Sequence, residues 1–259
     1  MNGKHNTGSD WRDAADKAFD LWSKGSSVLV LTGAGISVAS GIPDFRSPGG
    51  LWSRYDPMEV ATLQALRTNP KRVWEFLIEA VDMLERSGPN PAHLALARIE
   101  ELGRISGIVT QNIDGLHTKA GSTRVVEFHG GCGRFYCMRC KEDCTQEKAL
   151  ELAGRSLPPL CSCGGVIRPD FVFFNEQIPP RAMQEALMLT EQADLSVIIG
   201  TSGEIAPANT IPHRVKARGG QVIEINMGAS SYGDLADVRV FGPAEEVLPL
   251  LADGLAAGN

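Results

Sequence analysis

The chain has 259 residues, 43% of them hydrophobic and 22% charged, with 25 Lys and Arg against 31 Asp and Glu for a formal net charge of −6. Usage this ordinary excludes a disordered or fibrous chain, and a length above the usual domain size of roughly 100–150 residues suits one large α/β domain carrying insertions. The acidic balance argues against sequence-independent binding to DNA or to an anionic membrane, which both require a field of Lys and Arg.

The N-terminal stretch lacks the apolar core of a signal peptide, and no run approaches the roughly 18 apolar residues of a membrane span, so a soluble, cytoplasmic protein is expected. All six cysteines fall between Cys132 and Cys163. Such clustering points to metal ligation in a reducing compartment and away from a disulfide framework spread through a small domain.

In chain order, Trp11, Ala14, Ala15, Ala18, Leu21 and Trp22 recur at helical spacing and predict a helix over 10–24, with Gly25 as its stop. The apolar, β-branched run at 27–32 reads as a strand that turns abruptly at Gly33-Ala34-Gly35 into a helix. A Pro/Gly-rich loop beginning at Arg46 precedes helical patterns over 57–67 and 70–87, and a further helix is predicted over 91–102. Strands follow at 105–110 and 124–128, then the cysteine-bearing segment 131–166, where Pro158 and Pro159 break any helix. A helix over 181–193 and strands at 195–200, 221–226 and 238–241 complete the pattern. Continuous apolar strands alternating with helices imply an α/β fold with a mostly parallel sheet covered on both faces. Segments 46–90 and 131–166 interrupt that rhythm and are expected to assemble into a smaller second domain.

The Gly33-Ala34-Gly35 turn lets backbone approach a pyrophosphate at a helix N-terminus. The dinucleotide fingerprint is incomplete, because Val38 stands at the third glycine position and no acid closes the following strand. A nucleotide site and a merely tight turn therefore both stay open, and an NAD bound here need not be positioned for hydride transfer. Cys137 and Cys140, then Cys161 and Cys163 twenty residues on, can close a tetrahedral structural zinc site. The second pair is one residue shorter than a repeated CxxC, which leaves open whether Cys132 or Cys144 replaces a ligand. Charges in this region nearly balance, so a nucleic-acid-binding ribbon is a poor competitor.

The turn continues as GAGISVASGIPDFRSPGGLW, residues 33–52, and is followed by PNPAH (89–93), TQNIDGLHTKAG (110–121), EFHGG (127–131), IRPDFVFF (167–174), GTSGEIAPA (200–208) and IEIN (223–226). In order and spacing, from about residue 26 to about residue 250, these segments resemble the sirtuin family of NAD-dependent protein deacylases, in its prokaryotic form. The resemblance implies a Rossmann-like NAD domain from 1–45, 107–130 and 167–259, a cofactor loop and helical module from 46–106, and a zinc-ribbon module from 131–166. It implies NAD as a consumed co-substrate, one structural Zn2+ per chain held by Cys137, Cys140, Cys161 and Cys163, and acyl-lysine protein or peptide substrates bound between the domains. The acyl oxygen attacks C1′ of the nicotinamide ribose, nicotinamide leaves, and the acyl group ends on ADP-ribose.

By the same resemblance His129 is the general base, and a histidine with an ordinary pKa near 6.5 suits that task. Gln111 and Asn112 contact the nicotinamide ribose, Asn112 also orders the reacting groups, and Ile113 and Asp114 hold the nicotinamide amide. Asn112 and Asp114 would also serve as ordinary helix caps, and His117 reads as structural. Asp44, Phe45 and Arg46 belong to the loop that closes over NAD, with the arginine fork suited to phosphate. Gly33, Ala34, Gly35, Ser37, Gly200, Thr201, Ser202 and Asn226 match positions around the phosphates and adenosine.

Val172 and Phe173 are the candidates for lining the lysine channel, in a stretch that pairs with the substrate peptide. Asn175 stands where the family usually has Gly, which puts the peptide geometry in question. Leu77 and Ala80 occupy the positions where desuccinylating members carry Tyr and Arg; without them a buried acidic acyl group would go unpaired, so acetyl or a longer apolar acyl group is expected. The expected activity is NAD-dependent protein-lysine deacetylation. Deacylation of longer apolar groups, ADP-ribosyl transfer to protein, and a catalytically silent NAD- or ADP-ribose-binding module stand as the alternatives.

Overall fold

The strand Val28–Thr32 (β1) sends Val28 and Val30 into one apolar cluster and Leu29 and Leu31 into another. That division is the mark of a strand covered on both faces, where successive side chains point to opposite sides. The computed structural model describes residues 11–43 and 54–258. β1 pairs in parallel with Gly107–Thr110 (β2), which pairs with Val125–Glu127 (β3). On its other side β1 pairs with Leu195–Ile199 (β7), which continues to Gln221–Ile225 (β8) and Val238–Val240 (β9).

The six-stranded parallel sheet runs β3-β2-β1-β7-β8-β9, and the direction of winding reverses between β1 and β7. Helices Trp11–Trp22 (α1), Pro91–Glu101 (α5) and Ala244–Ala257 (α10) supply one covering layer, with Trp22, Leu96, Ile99, Leu248 and Leu251 in one cluster with Val28 and Val30. Pro180–Gln192 (α8) and Thr210–Ala217 (α9) cover the opposite face around Leu29 and Leu31, through Ala186, Ile211 and Val215. The expected Rossmann-like sheet with helices on both faces is the observed one.

A second core lies apart from the sheet. Pro57–Val60 (α2), Leu63–Thr68 (α3) and Pro70–Arg86 (α4) pack Val60, Leu66, Val73, Trp74 and Leu77 against Phe135, Ala149 and Ile167 of the cysteine-bearing module. The helical pattern expected over 57–67 is split in two because the Thr62 hydroxyl caps α3 by accepting from the Ala65 N–H at 3.0 Å. The cysteine module is a three-stranded antiparallel sheet, Gly130–Cys137 (β4) between Asp143–Thr145 (β5) and Ile167–Phe171 (β6), with helix Gln146–Arg155 (α7) ending before Pro158.

Two expectations are corrected here. Residues 91–102 do not belong to the helical module, because the apolar stripe of α5 is buried under the large sheet. Residues 167–171 join the small sheet as β6 and do not begin the third segment of the large domain. The helix expected after the β1 turn is present, as the 3-10 helix Ala34–Ser40.

Candidate active site

The ends of β1 and β7 meet where the strand order reverses, the place at which open α/β sheets bind ligands. The two loops that leave them touch backbone to backbone: the Gly35 N–H donates to Gly200 O at 2.8 Å, and the Gly33 N–H to Ile199 O at 3.0 Å. A Cβ on Gly35 would lie 2.7 Å from the Gly200 Cα, and one on Gly200, whose φ is +61°, 2.5 Å from the Ile36 N. The glycines at this crossing are therefore demanded by loop-to-loop contact. Behind them the Gln111 amide donates to Thr201 Oγ1 at 3.1 Å and the Asn226 amide to Thr201 O at 2.9 Å.

The loop after β2 carries Asn112, Ile113 and Asp114, and the structure joins it to the turn after β1 through one hydroxyl. Asn112 Nδ2 donates to Gly33 O and to Ser37 Oγ, each at 3.1 Å, and Ser37 Oγ donates to Asp114 Oδ2 at 2.7 Å. The other Asp114 oxygen accepts the Leu116 N–H at 2.9 Å, so the expected helix-capping role and the site role fall on one carboxylate. His93, missed as a site residue, faces the same hydroxyl at 3.5 Å through Nε2. Its Nδ1 accepts the Asn90 N–H at 3.4 Å within a capping box at the start of α5, a PNPAH arrangement whose histidine was readable only through that box.

His117 is the second residue of the short helix Leu116–Lys119 (α6), stacks edge-on against His93 with ring centroids 4.9 Å apart, and meets Thr32 Oγ1 at 2.9 Å through Nε2. Burial holds both imidazoles neutral, His93 down to about 4 and His117 to about 3. The structural reading of His117 is consistent with this placement.

His129 follows β3. Its Nδ1 lies 2.9 Å from Gln111 O, and since a carbonyl only accepts, Nδ1 carries the proton and Nε2 keeps its lone pair. Burial pulls its pKa below 6.5 against the opposing pull of that hydrogen bond, so the basic form prevails at neutral pH. The His129 carbonyl accepts the Val172 N–H at 2.8 Å, which joins the base to the stretch 171–176.

That stretch passes between modules. Phe174 N–H donates to Ala61 O at 2.8 Å and its carbonyl accepts from Leu63 N–H at 3.3 Å. Val172 is half-buried, while Phe173 is 1% exposed inside the small core and Phe174 is 42% exposed. Phe173 thus packs its ring into the small core, while Phe174, on the other side of the chain, is exposed. Asn175 adopts φ +64°, the left-handed conformation that glycine takes freely and asparagine tolerates best among the other residues. The backbone shape expected of a glycine is thus kept. Asp44, Phe45 and Arg46 lie outside the described residues.

The four sulfur atoms of Cys137, Cys140, Cys161 and Cys163 lie within 4.8 Å of one another, with Cys137–Cys163 at 3.5 Å and Cys140–Cys161 at 3.7 Å. Zinc–thiolate bonds of about 2.3 Å place tetrahedral sulfurs about 3.8 Å apart, so this donor set fits a closed structural zinc site. The short CxC spacing is accommodated by a turn in which Cys161 N–H donates to Gly165 O and Gly164 N–H to Cys161 O, each at 2.8 Å. Cys144 stands outside the set, and so does Cys132, whose thiol is pushed by burial up to about 12.

A sheet of this order, with polar side chains converging at its switch point, is the arrangement of a dinucleotide-binding enzyme, here with a four-cysteine module beside it. The Sir2 family model matches residues 33–207, and the chain belongs to that family. It is 43% identical over 235 residues to NAD-dependent protein deacylase 2 of Pyrobaculum aerophilum, covering 90% of this chain and 93% of that one. It is 44% identical over 239 residues to the NAD-dependent protein deacetylase of Sulfurisphaera tokodaii, covering 92% and 94%. A solved structure described as a structural basis for the mechanism and regulation of Sir2 enzymes superposes with a TM-score of 0.88 at 36% identity, covering 96% of this chain and all of that one. A complex of Sir2 with p53 peptide and NAD+ gives a TM-score of 0.87 at 34% identity, covering 93% and 98%. No described helix is long and apolar enough to cross a membrane.

Proposed function

We propose that this chain is an NAD-dependent protein-lysine deacetylase that releases nicotinamide, O-acetyl-ADP-ribose and the free lysine. One observation carries the reading: His129, held as a neutral base with Nε2 unprotonated, is tied through its own carbonyl to Val172 in the stretch that receives the substrate. NAD, when bound, supplies the electrophilic ribose carbon and the acceptor of the acyl group. Backbone of Gly33, Ala34 and Gly35, with Ser37, Gly200, Thr201 and Ser202, would take its phosphates, and Asn226 its adenosine side. Gln111, Asn112, Ile113 and Asp114 would take the nicotinamide ribose and amide. Asn112, oriented by Gly33 O and Ser37 Oγ, fixes the reacting groups, and Asp114 is held by Ser37 and the Leu116 amide.

His129 Nε2 accepts the proton of a ribose hydroxyl once nicotinamide has left, the general-base step that an imidazole with lowered pKa performs at neutral pH. Val172 and Phe173 remain the residues assigned to the acyl-lysine, Val172 half-buried and Phe173 held in the small core beneath the stretch. Leu77 is buried in the small core and Ala80 offers no polar group, so nothing at these two positions would pair with a carboxyl-bearing acyl chain. The relatives named above are a deacylase and a deacetylase, which favours this reading over ADP-ribosyl transfer or a silent binding module. Six cysteines without a disulfide agree with a cytoplasmic setting.

Mass spectrometry of a reaction with NAD and an acetyl-lysine peptide tests the proposal. Nicotinamide, O-acetyl-ADP-ribose and deacetylated peptide appearing together support it. Nicotinamide without acyl transfer overturns it in favour of NAD hydrolysis or ADP-ribosylation, and faster removal of succinyl than of acetyl overturns the acyl preference.

A further inference from the structure

The stretch 171–176 is short and irregular, yet a peptide that pairs with it needs its backbone groups held in one register. Arg168, at the second position of β6, gathers the stretch. Its NH2 donates to Phe171 O at 2.6 Å and to Glu176 Oε2 at 2.8 Å, NH1 to Glu176 Oε1 at 2.7 Å, and Nε to Pro169 O at 3.0 Å. Glu176 Oε2 also accepts the Phe173 N–H at 3.0 Å. A carbonyl near one end, an amide in the middle and a side chain at the far end thus converge on a single guanidinium–carboxylate pair. Arg168 is 4% exposed and Glu176 23%, and the guanidinium lies over the rings of Phe173 at 4.8 Å and Tyr136 at 5.3 Å.

A buried ion pair is a poor source of stability, since desolvation offsets most of its attraction. What a bidentate pair provides is fixed geometry. Tyr136 and Arg168 are direct register partners in the small sheet, as are Cys137 and Ile167, so the clamp joins the strand bearing a candidate zinc ligand to the stretch facing the substrate. Asn112, Asp114 and the imidazole of His129 lie outside it, on loops of the large sheet.

We infer that Arg168 and Glu176 are positioning residues for the acyl-lysine peptide: their clamp sets the register of residues 171–176, and with it peptide affinity, while leaving the nucleotide site alone. The inference rests on the deacylase reading above. The test uses the full zinc-loaded chain and compares wild type with Glu176→Gln, which keeps the shape and removes the charge. Arg168→Lys, which keeps the charge and removes the fork, makes the same comparison should the first variant fail to fold.

Anisotropy of a labelled acetyl-lysine peptide, ADP-ribose calorimetry, zinc content and steady-state kinetics are measured together. Each variant is expected to raise the peptide Kd and KM by about tenfold or more, as displacement of a binding edge does. The ADP-ribose Kd should stay within about threefold, and zinc at wild-type content. Unchanged peptide affinity overturns the clamp, and so does a parallel loss of peptide and ADP-ribose binding, which would mark general damage. Wild-type protein that binds no acyl-lysine peptide overturns instead the deacylase reading on which the clamp depends.

Discussion

The Ser37 hydroxyl donates to Asp114 Oδ2 at 2.7 Å while accepting from Asn112 Nδ2 at 3.1 Å, so one small side chain after the first strand orients two residues after the second. Ser37 is buried, and Asn112 and Asp114 nearly so. Removing the hydroxyl leaves a buried amide and a buried carboxylate each short of a partner, at about 1–3 kcal/mol apiece. Ser37→Ala should therefore lower kcat/KM by about tenfold or more with the protein still folded, as checked by initial rates beside a thermal melt; a rate within twofold of wild type would remove Ser37 from this role.

His129→Ala should lower kcat by about 10²–10⁴-fold, the usual loss for a general base. Because burial sets the His129 pKa below 6.5, the acid limb of kcat/KM attributable to this residue should lie at pH values below 6.5 and be missing from the variant. A limb centred above 6.5 would contradict the assignment.

The neutral pair His93 and His117 predicts how stability responds to acid. In the unfolded chain each takes a proton near pH 6.5, whereas the fold resists protonation until about 4 at His93 and about 3 at His117. The unfolded state therefore binds more protons in this window, and stability falls as the pH drops from about 6.5 toward 4, at up to about 1.4 kcal/mol per pH unit for each histidine. Urea unfolding at pH 7.5, 6.5 and 5.5 measures the slope. His117→Gln should flatten it, and equal slopes would refute the account.

Asn175→Gly should be neutral or stabilising by up to about 1 kcal/mol, because a left-handed φ strains every residue but glycine. Asn175→Val, β-branched at the same φ, should lose more than about 1 kcal/mol. Chemical denaturation of the two variants gives the order directly; a stable valine variant would mean that the backbone there is not held at +64°.

Metal analysis distinguishes the cysteines. One zinc per chain is expected, lost in Cys163→Ser together with the cooperative melting of the small core, since structural zinc contributes about 10–16 kcal/mol of apparent binding energy at neutral pH. Cys144→Ser and Cys132→Ser should retain it. Loss of zinc from either would show that the sulfur cluster is wrongly drawn.

Much of this was legible in the sequence, for identifiable reasons. The inner strands of the large sheet, β1, β2 and β7, announce themselves because both faces are buried and the runs are nearly all apolar, VLVLT and LSVII among them. The motif residues Asn112, Asp114 and His129 stand just past strand ends, where the sequence pattern puts them. Other features gave no such signal. α10 carries Pro249 and Gly254 within it, and Gly254 is there because a Cβ would come within 2.9 Å of the Phe19 ring, a contact between helices far apart in the chain. The run FVFF has no polar alternation, so which phenylalanine points outward was decided by the hydrogen bonds of Phe174 to Ala61 and Leu63. The allegiance of α5 to the large core, and the turn that closes CxC around the metal cluster, are likewise tertiary facts.

The crossing of Gly33 and Gly35 with Gly200 and Thr201 also bears on which substitutions the site can accept. With no room for a single added carbon at Gly35 or Gly200, the point where the two strands fan apart accepts a side chain at neither position. A side chain at either glycine would have to part the two loops, and with them the ends of β1 and β7 that they leave.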